Sequence, residues 1–251
     1  MRRGSAAEAA AAGGAVGAVP AALAGLTIYP VTDRVAAKVS TLESAPDVMA
    51  VFALPARGPL EALRVQEGAG PADAGPLVVY ADRIADPGNM GTLLRAAAAF
   101  GAAALVVAPG SVDLYGPKTV RASMGAVFAL PLHQDVTLAD LVARLGADRV
   151  YGLVAHGGAP LAGAELHRPA VLCVGAERAG LAPETLACVT DQLTILLAPA
   201  RPGAALDGGL AATVESLNAG VAGAIALYEF ARRSGGDAAH DASSAAALEK
   251  G

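Results

Sequence analysis

The sequence has no tryptophan and only four phenylalanines and five tyrosines in 251 residues. Aromatic rings therefore cannot fill its interior. Alanine, valine and leucine must build the core of a chain that is 54% hydrophobic. Cysteine is scarce too: Cys173 and Cys188 stand alone, without CxxC spacing. That argues against zinc binding and points to a reduced, cytoplasmic setting. Positive charge is not in excess, since the formal net charge is −5. A general nucleic-acid coat would be basic, so any RNA or DNA contact must come from a local patch of Lys and Arg. No apolar run reaches the ~20 residues of a membrane span. The Ala/Gly-rich start lacks a strong apolar stretch and does not read as a signal peptide.

What the chain does hold is punctuation: thirty glycines and sixteen prolines mark many turns. After the low-complexity start come two short apolar runs, LTIYPV and VMAVFALP, predicted as strands, with polar sequence between them. The stretch EGAGPADAGP, residues 67–76, reads as a linker. Beyond it, apolar runs predict strands at 77–80, 104–108, 149–155, 170–175 and 193–197. Helices are predicted at 89–100, 117–128, 137–146 and 213–233. Proline opens the second, and a Thr cap and Gly stop bound the third. Val- and Leu-rich strands without alternation are buried on both faces. Alternating strands and helices give a mostly parallel α/β sheet.

Familiar site motifs fail. The string GAGPADAG has the wrong spacing for a dinucleotide fingerprint and precedes its strand. GSVDLYGPKT resembles a P-loop, but the gap is too long and Pro117 removes an N–H that should face phosphate. His133, His156, His167 and His240 show no metal-ligand spacing and read as surface or loop residues.

Three polar islands remain: DPGNMGTLLR, VGAERAGL and VESLN. Each has a plain structural reading. Asn89 suits a helix cap, Arg95 a solvated charge, Glu177 an exposed turn, and Ser216 and Asn218 capping groups. All three islands, however, lie beside the carboxyl ends of predicted strands, where open α/β sheets place their sites.

Together these islands resemble the three motifs of the SpoU/TrmH branch of the SPOUT superfamily, S-adenosylmethionine-dependent RNA 2′-O-methyltransferases. They read in order as DPGNMGTLLRAAAAFGA, VLCVGAERAGL and VESLNAGVAGAIALYE. The resemblance covers about residues 77–230. It implies a catalytic domain at 77–234 whose parallel sheet ends in a deep trefoil knot. The segment 26–56 is similar to the end of a small substrate-binding domain, so residues 1–66 are expected to be a partial N-terminal RNA-binding domain. Residues 235–251 read as a frayed tail or an expression-vector scar.

The resemblance further implies S-adenosylmethionine as cofactor, with no metal, held by Gly175, Leu196, Leu217 and Ala155. Arg95 would act on the ribose, with Asn89 fixing its rotamer. Ser216 and Asn218 would position ribose and arginine, and Glu177 would hold the motif loops together. Lys118 and Arg121 are expected at RNA phosphates, with Arg83 a weaker candidate. The implied partners are RNA, with rRNA favoured over tRNA, and a second copy of the chain that completes the active site. A catalytically silent RNA-binding protein on the same fold is the alternative. One departure stands out: LTILLAP runs into an insertion, 200–213, before the third motif.

Overall fold

Runs of valine and leucine with no polar alternation need cover on both faces, and helices supply it. The computed structural model of the protein describes residues 27–54, 60, 75–198, 205–206, 210–211 and 215–233. The chain divides into two compact units, Met1–Ala53 and Leu54–Gly251. The expected linker at 67–76 lies outside the described residues, except for Gly75 and Pro76.

In the first unit, helix α1 spans Asp33–Val39 and buries none of its residues. Neither predicted strand forms among the described residues. Ile28 makes an isolated bridge, and residues 48–54 are irregular. The apolar residues that suggested a strand, Val48, Val51 and Phe52, stay exposed. A strand needs a paired neighbour, and an apolar run alone does not provide one.

The second unit is built on strands β1 (Leu77–Asp82), β2 (Ala104–Val107), β3 (Leu132–His133), β4 (Arg149–Leu153), β5 (Ala159–Pro160), β6 (Ala170–Gly175) and β7 (Asp191–Thr194). They form one sheet in the order β3-β2-β1-β6-β4-β7-β5. Every pairing in it is parallel. Helices α2 (Pro87–Ala99), α3 (Pro117–Ala122), α4 (Leu138–Leu145), α5 (Pro183–Leu186) and α6 (Ala219–Arg233) complete it. Leu77, Val79 and Ala81 of β1 pack with Leu93 of α2 and Leu227 of α6. Val78 and Tyr80 turn the other way, toward Leu138, Leu141 and Leu145 of α4. β1 is thus buried along its length on both faces, as its sequence demands.

Local sequence sets the helix ends. Asp86 caps α2 by accepting from Asn89 N at 2.8 Å, with Pro87 in the first turn. Thr137 caps α4, and Gly146 closes it in the left-handed conformation at φ 66°. Elsewhere the predicted bounds shift. The helix expected over 117–128 stops at Ala122, because Met124 and Gly125 take φ 49° and 91°. A short 3₁₀ turn, Ala126–Phe128, follows. The strand expected at 193–197 ends at Thr194. The last helix starts at Ala219 rather than 213, leaving Glu215, Ser216, Leu217 and Asn218 irregular. His133 is not a surface residue: it is buried in β3. Of the insertion at 200–213, Ala205–Leu206 (β8) and Leu210–Ala211 (β9) pair antiparallel, and the rest lies outside the described residues.

Small residues let α2 approach its neighbours. A Cβ at Gly220 of α6 would stand 2.8 Å from Asn89 O, and one at Gly223 would stand 2.5 Å from Leu93 Cδ1. A Cβ at Gly91 would stand 2.3 Å from Ala122 Cβ of α3. The small face of α6 is thus spent inside the chain. Its exposed stripe is made of Val221, Ile225 and Tyr228. At the far end of α6, Arg233 donates to Ala162 O at 2.6 Å and to Glu229 Oε1 at 2.6 Å. It also donates to Ala164 O. Hydrogen bonding from Arg232, then from Arg233, pulls the Glu229 carboxyl down to about 2.

Candidate active site

The three polar islands meet. Asn89, in the first turn of α2, donates from Nδ2 to Glu177 Oε1 at 2.6 Å. Asn218 donates from Nδ2 to the same Glu177 oxygen at 2.9 Å and to Asn89 Oδ1 at 2.5 Å. Asn218 Oδ1 in turn accepts from Val221 N at 3.1 Å, so the same side chain caps α6. One carboxylate thus joins residues far apart in sequence into a closed triangle. Bonds to an ionised acceptor are about twice as strong as neutral ones.

Glu177 is presented by a tight loop after β6. Ala176 N donates to Gly180 O at 3.1 Å, and Gly180 N donates to Ala176 O at 2.8 Å. Gly180 turns the chain at φ 65°. The loop folds back so closely that a Cβ on Gly175 would lie 2.3 Å from Gly180 C. Glycine is required there by approach of backbone to backbone.

Beside the triangle lies an open hollow, with a cavity volume of ≈ 100 Å³, at the carboxyl ends of β4 and β6. Ala155, Gly175 and Leu217 line it, as do Glu177 and Ser216. Leu196 does not: its side chain is 70% exposed, whereas its neighbours Ile195 and Leu197 line the hollow. Successive side chains of an extended segment point to opposite sides, so the matched position falls on the outer side. The sequence reading also missed Leu153, Val154 and Glu215, which line the hollow. Their signal was present, since Leu153 and Val154 end an apolar strand and Glu215 lies inside the third motif. Periodicity alone does not say which strand end borders a cavity.

The basic residues lie off this hollow. Arg95 is exposed on α2 and makes no hydrogen bond or ion pair among the described residues. Asn89 was expected to fix its rotamer, but both functions of the Asn89 amide go to Glu177 and Asn218. Lys118 and Arg121 are exposed on α3, which the contact of Gly91 with Ala122 holds against α2. Arg83 Nε lies 3.4 Å from Asp82 Oδ1, beside its own strand end.

The lining suits a cationic ligand with apolar surface. The hollow is mostly apolar side chain and glycine backbone. Its charged residues, Glu177 and Glu215, are both acidic. A positively charged ligand is favoured there and a polyphosphate is not.

The profile of the SpoU rRNA Methylase family matches residues 76–202. The chain is 32% identical over 200 residues to a 23S rRNA (uridine(2479)-2′-O)-methyltransferase of Streptomyces viridochromogenes, covering 76% of this chain and 62% of that protein. Among solved structures it is similar to a TrmH-family protein of Porphyromonas gingivalis. The TM-score is 0.61 and the identity 34%, over 78% of this chain and 70% of the other. It is also similar to an AdoMet-bound rRNA methyltransferase of Sinorhizobium meliloti. There the TM-score is 0.57 and the identity 30%, over 71% and 61% of the two chains. The chain spans less than two thirds of the length of the curated relatives it matches.

Proposed function

The chain belongs to the SpoU rRNA Methylase family, and from that premise we propose that it transfers a methyl group from S-adenosylmethionine to a ribose 2′-hydroxyl of rRNA. One observation carries the reading. Asn89, Glu177 and Asn218, one from each motif, close a single hydrogen-bonded triangle at the rim of an apolar hollow with acidic lining. The 2′-O-methyltransferase relative and the AdoMet-bound neighbour support the reaction and the cofactor.

When bound, S-adenosylmethionine supplies an electrophilic methyl on a sulfonium. The chain has to hold that group, exclude water, and bring a ribose oxygen into line behind the methyl. Gly175, Ala155 and Leu217 would hold the cofactor against apolar wall and backbone. Glu177 and Glu215 favour its positive charge. In the transfer the ribose oxygen would take the methyl, the cofactor would leave as a neutral thioether, and the hydroxyl proton would pass to solvent water. A guanidinium is a donor and not a base, so the part of Arg95 is to orient the ribose and stabilise the oxyanion developing there. Ser216, on the rim, positions the ribose. Lys118 and Arg121 take neighbouring phosphates, giving the local basic patch that the net charge requires.

Arg95 lies off the hollow of its own chain, and this supports an active site shared between two copies. The exposed stripe Val221, Ile225 and Tyr228 lies on α6, which packs on α2, the helix that carries Arg95. A dimer through this face would cover apolar surface and deliver Arg95 to the partner's hollow. We further propose that the segments around 176–182 and 215–218 belong to a trefoil knot. Residues 1–66 would be a partial RNA-binding domain, and the setting is the cytoplasm. Among the described residues no helix is long and apolar enough to cross a membrane.

The test is transfer of labelled methyl from S-adenosylmethionine to rRNA and to tRNA, with the modified ribose mapped. Sedimentation at micromolar protein is run in parallel. The expected outcome is label at one rRNA 2′-hydroxyl and twice the chain mass. Label in tRNA alone would replace the substrate. No label and no cofactor binding would leave an RNA-binding protein on this fold.

A further inference from the structure

β1 reads LVVYAD, and five of its six residues are apolar or aromatic. The sixth, Asp82, is as buried as the rest, at 1% exposure. A carboxylate so placed is costly unless it is bonded. It sits opposite Gly175, where β6 ends and the Glu177 loop begins. Its Oδ2 accepts from Ala182 N at 2.6 Å. Ala182 is the N-cap residue of α5 and has no capping side chain of its own. The neighbouring residue is unusual as well: Arg83 is non-glycine and left-handed, at φ 54°. Along a regular strand, side chains at consecutive positions point to opposite faces. The left-handed turn breaks that alternation and lets Arg83 Nε lie 3.4 Å from Asp82 Oδ1.

We propose that Asp82 is a positioning residue for the cofactor hollow, fixing the far end of the loop that presents Glu177. The proposal rests on the methyltransferase reading given above. The Ala176–Gly180 bridge closes the loop, but it leaves the exit toward α5 without a ladder partner. Asp82 supplies that partner from the adjacent strand end. With both ends held, Gly175, Ala176, Glu177 and Gly180 keep the lining they form, and Glu177 stays within reach of Asn89 and Asn218. Asp82's charge also reaches deeper into the sheet. After burial itself, it is the next cause holding the Tyr80 hydroxyl up to about 12 and the Cys173 thiol well above its ordinary value.

The experiment compares wild type, Asp82→Ala and Asp82→Asn in the full chain. Steady-state transfer is measured with each substrate varied, and hydrogen exchange is followed across 176–182. The Ala variant should raise KM for S-adenosylmethionine about ten-fold or more. kcat at saturating cofactor and KM for RNA should stay within about three-fold. Exchange across 176–182 should speed up while that of β2 and α4 stays put. The Asn variant keeps an acceptor for Ala182 N, so it should recover part of both effects, and it carries the test if the Ala variant does not fold. An unchanged KM for S-adenosylmethionine, or a parallel change in both KM values and kcat, would overturn the proposal. If wild type binds no S-adenosylmethionine, the methyltransferase reading fails. Exchange at 176–182 still decides whether Asp82 holds the loop.

Discussion

Asn89 and Arg95 share one helix and live in opposite circumstances. Asn89 is buried, and both functions of its amide are bonded to residues of the other two motifs. Arg95 is exposed and has no partner among the described residues. The first is consumed by the architecture, and the second is left unsatisfied among the described residues. A polar residue kept in a helix therefore does not tell its role by its type. What separates the two is whether the folded chain satisfies it. The same contrast divides the site itself, where a self-satisfied triangle borders a hollow lined mostly by apolar side chains.

The sharpest way to break this comparison is at Arg95. Arg95→Ala should lower single-turnover methyl transfer by about 10²–10³-fold, as loss of an oxyanion-stabilising donor does. Cofactor affinity should stay within about two-fold and stability within ~0.5 kcal/mol, because an exposed unbonded side chain gives the fold little. Arg95→Lys should not rescue, since lysine lacks the planar fork. Next comes Gly175→Ala. The added methyl meets backbone at 2.3 Å, so denaturant unfolding should show a loss of about 1–3 kcal/mol, and calorimetry should show cofactor binding abolished.

Glu177→Ala should cost somewhat less, about 1–2 kcal/mol, by leaving the Asn89 and Asn218 amides without their shared acceptor. Its loss should appear in stability and cofactor affinity together, unlike that of Arg95.

Smaller still is a pH effect far from the site. The folded Glu229 carboxyl is held down to about 2, first by Arg232 and then by Arg233. A depressed acid stabilises above its unfolded value, near 4.3, and loses that contribution as pH falls toward the folded value. Glu229→Gln should therefore flatten the stability profile between about pH 4.5 and 2 and leave transfer at neutral pH unchanged. The smallest expected effect is Leu196→Ala. With its side chain turned outward, it should alter cofactor affinity by less than about two-fold.

Much of the sheet was legible in the sequence, because strands buried on both faces must read as unbroken Val and Leu. β6 keeps its predicted bounds. The caps of α2 and α4 were legible for the same kind of reason: Asp86, Thr137 and Gly146 each have one local job. What escaped was non-local. Nothing in PKTVRASMGAVF announces that Met124 will turn left-handed and end α3. VESLN offered Asn218 as a capping group, but not that the helix would begin one residue later instead of at 213. At the site, the three islands were visible as polar residues out of pattern, yet their pairing was not. Asn89 reads as a helix-start residue whether it faces Arg95 or Glu177. Asp82 escaped because a carboxylate at a strand end looks like the start of a loop.

The central claim is that Arg95 serves a hollow other than that of its own chain, and mixing two inactive variants tests it most directly. One variant is Arg95→Ala. The other is Leu217→Arg, which puts a cation into the hollow and leaves Arg95 intact. Each alone should be inactive in methyl transfer. After subunit exchange, half of the dimers are mixed, and each mixed dimer has one site with both Arg95 and an open hollow. Activity should return to roughly a quarter of the wild-type value. If Arg95 acted on the hollow of its own chain, every site in every mixture would carry a defect. No activity would return, and that result would contradict the account.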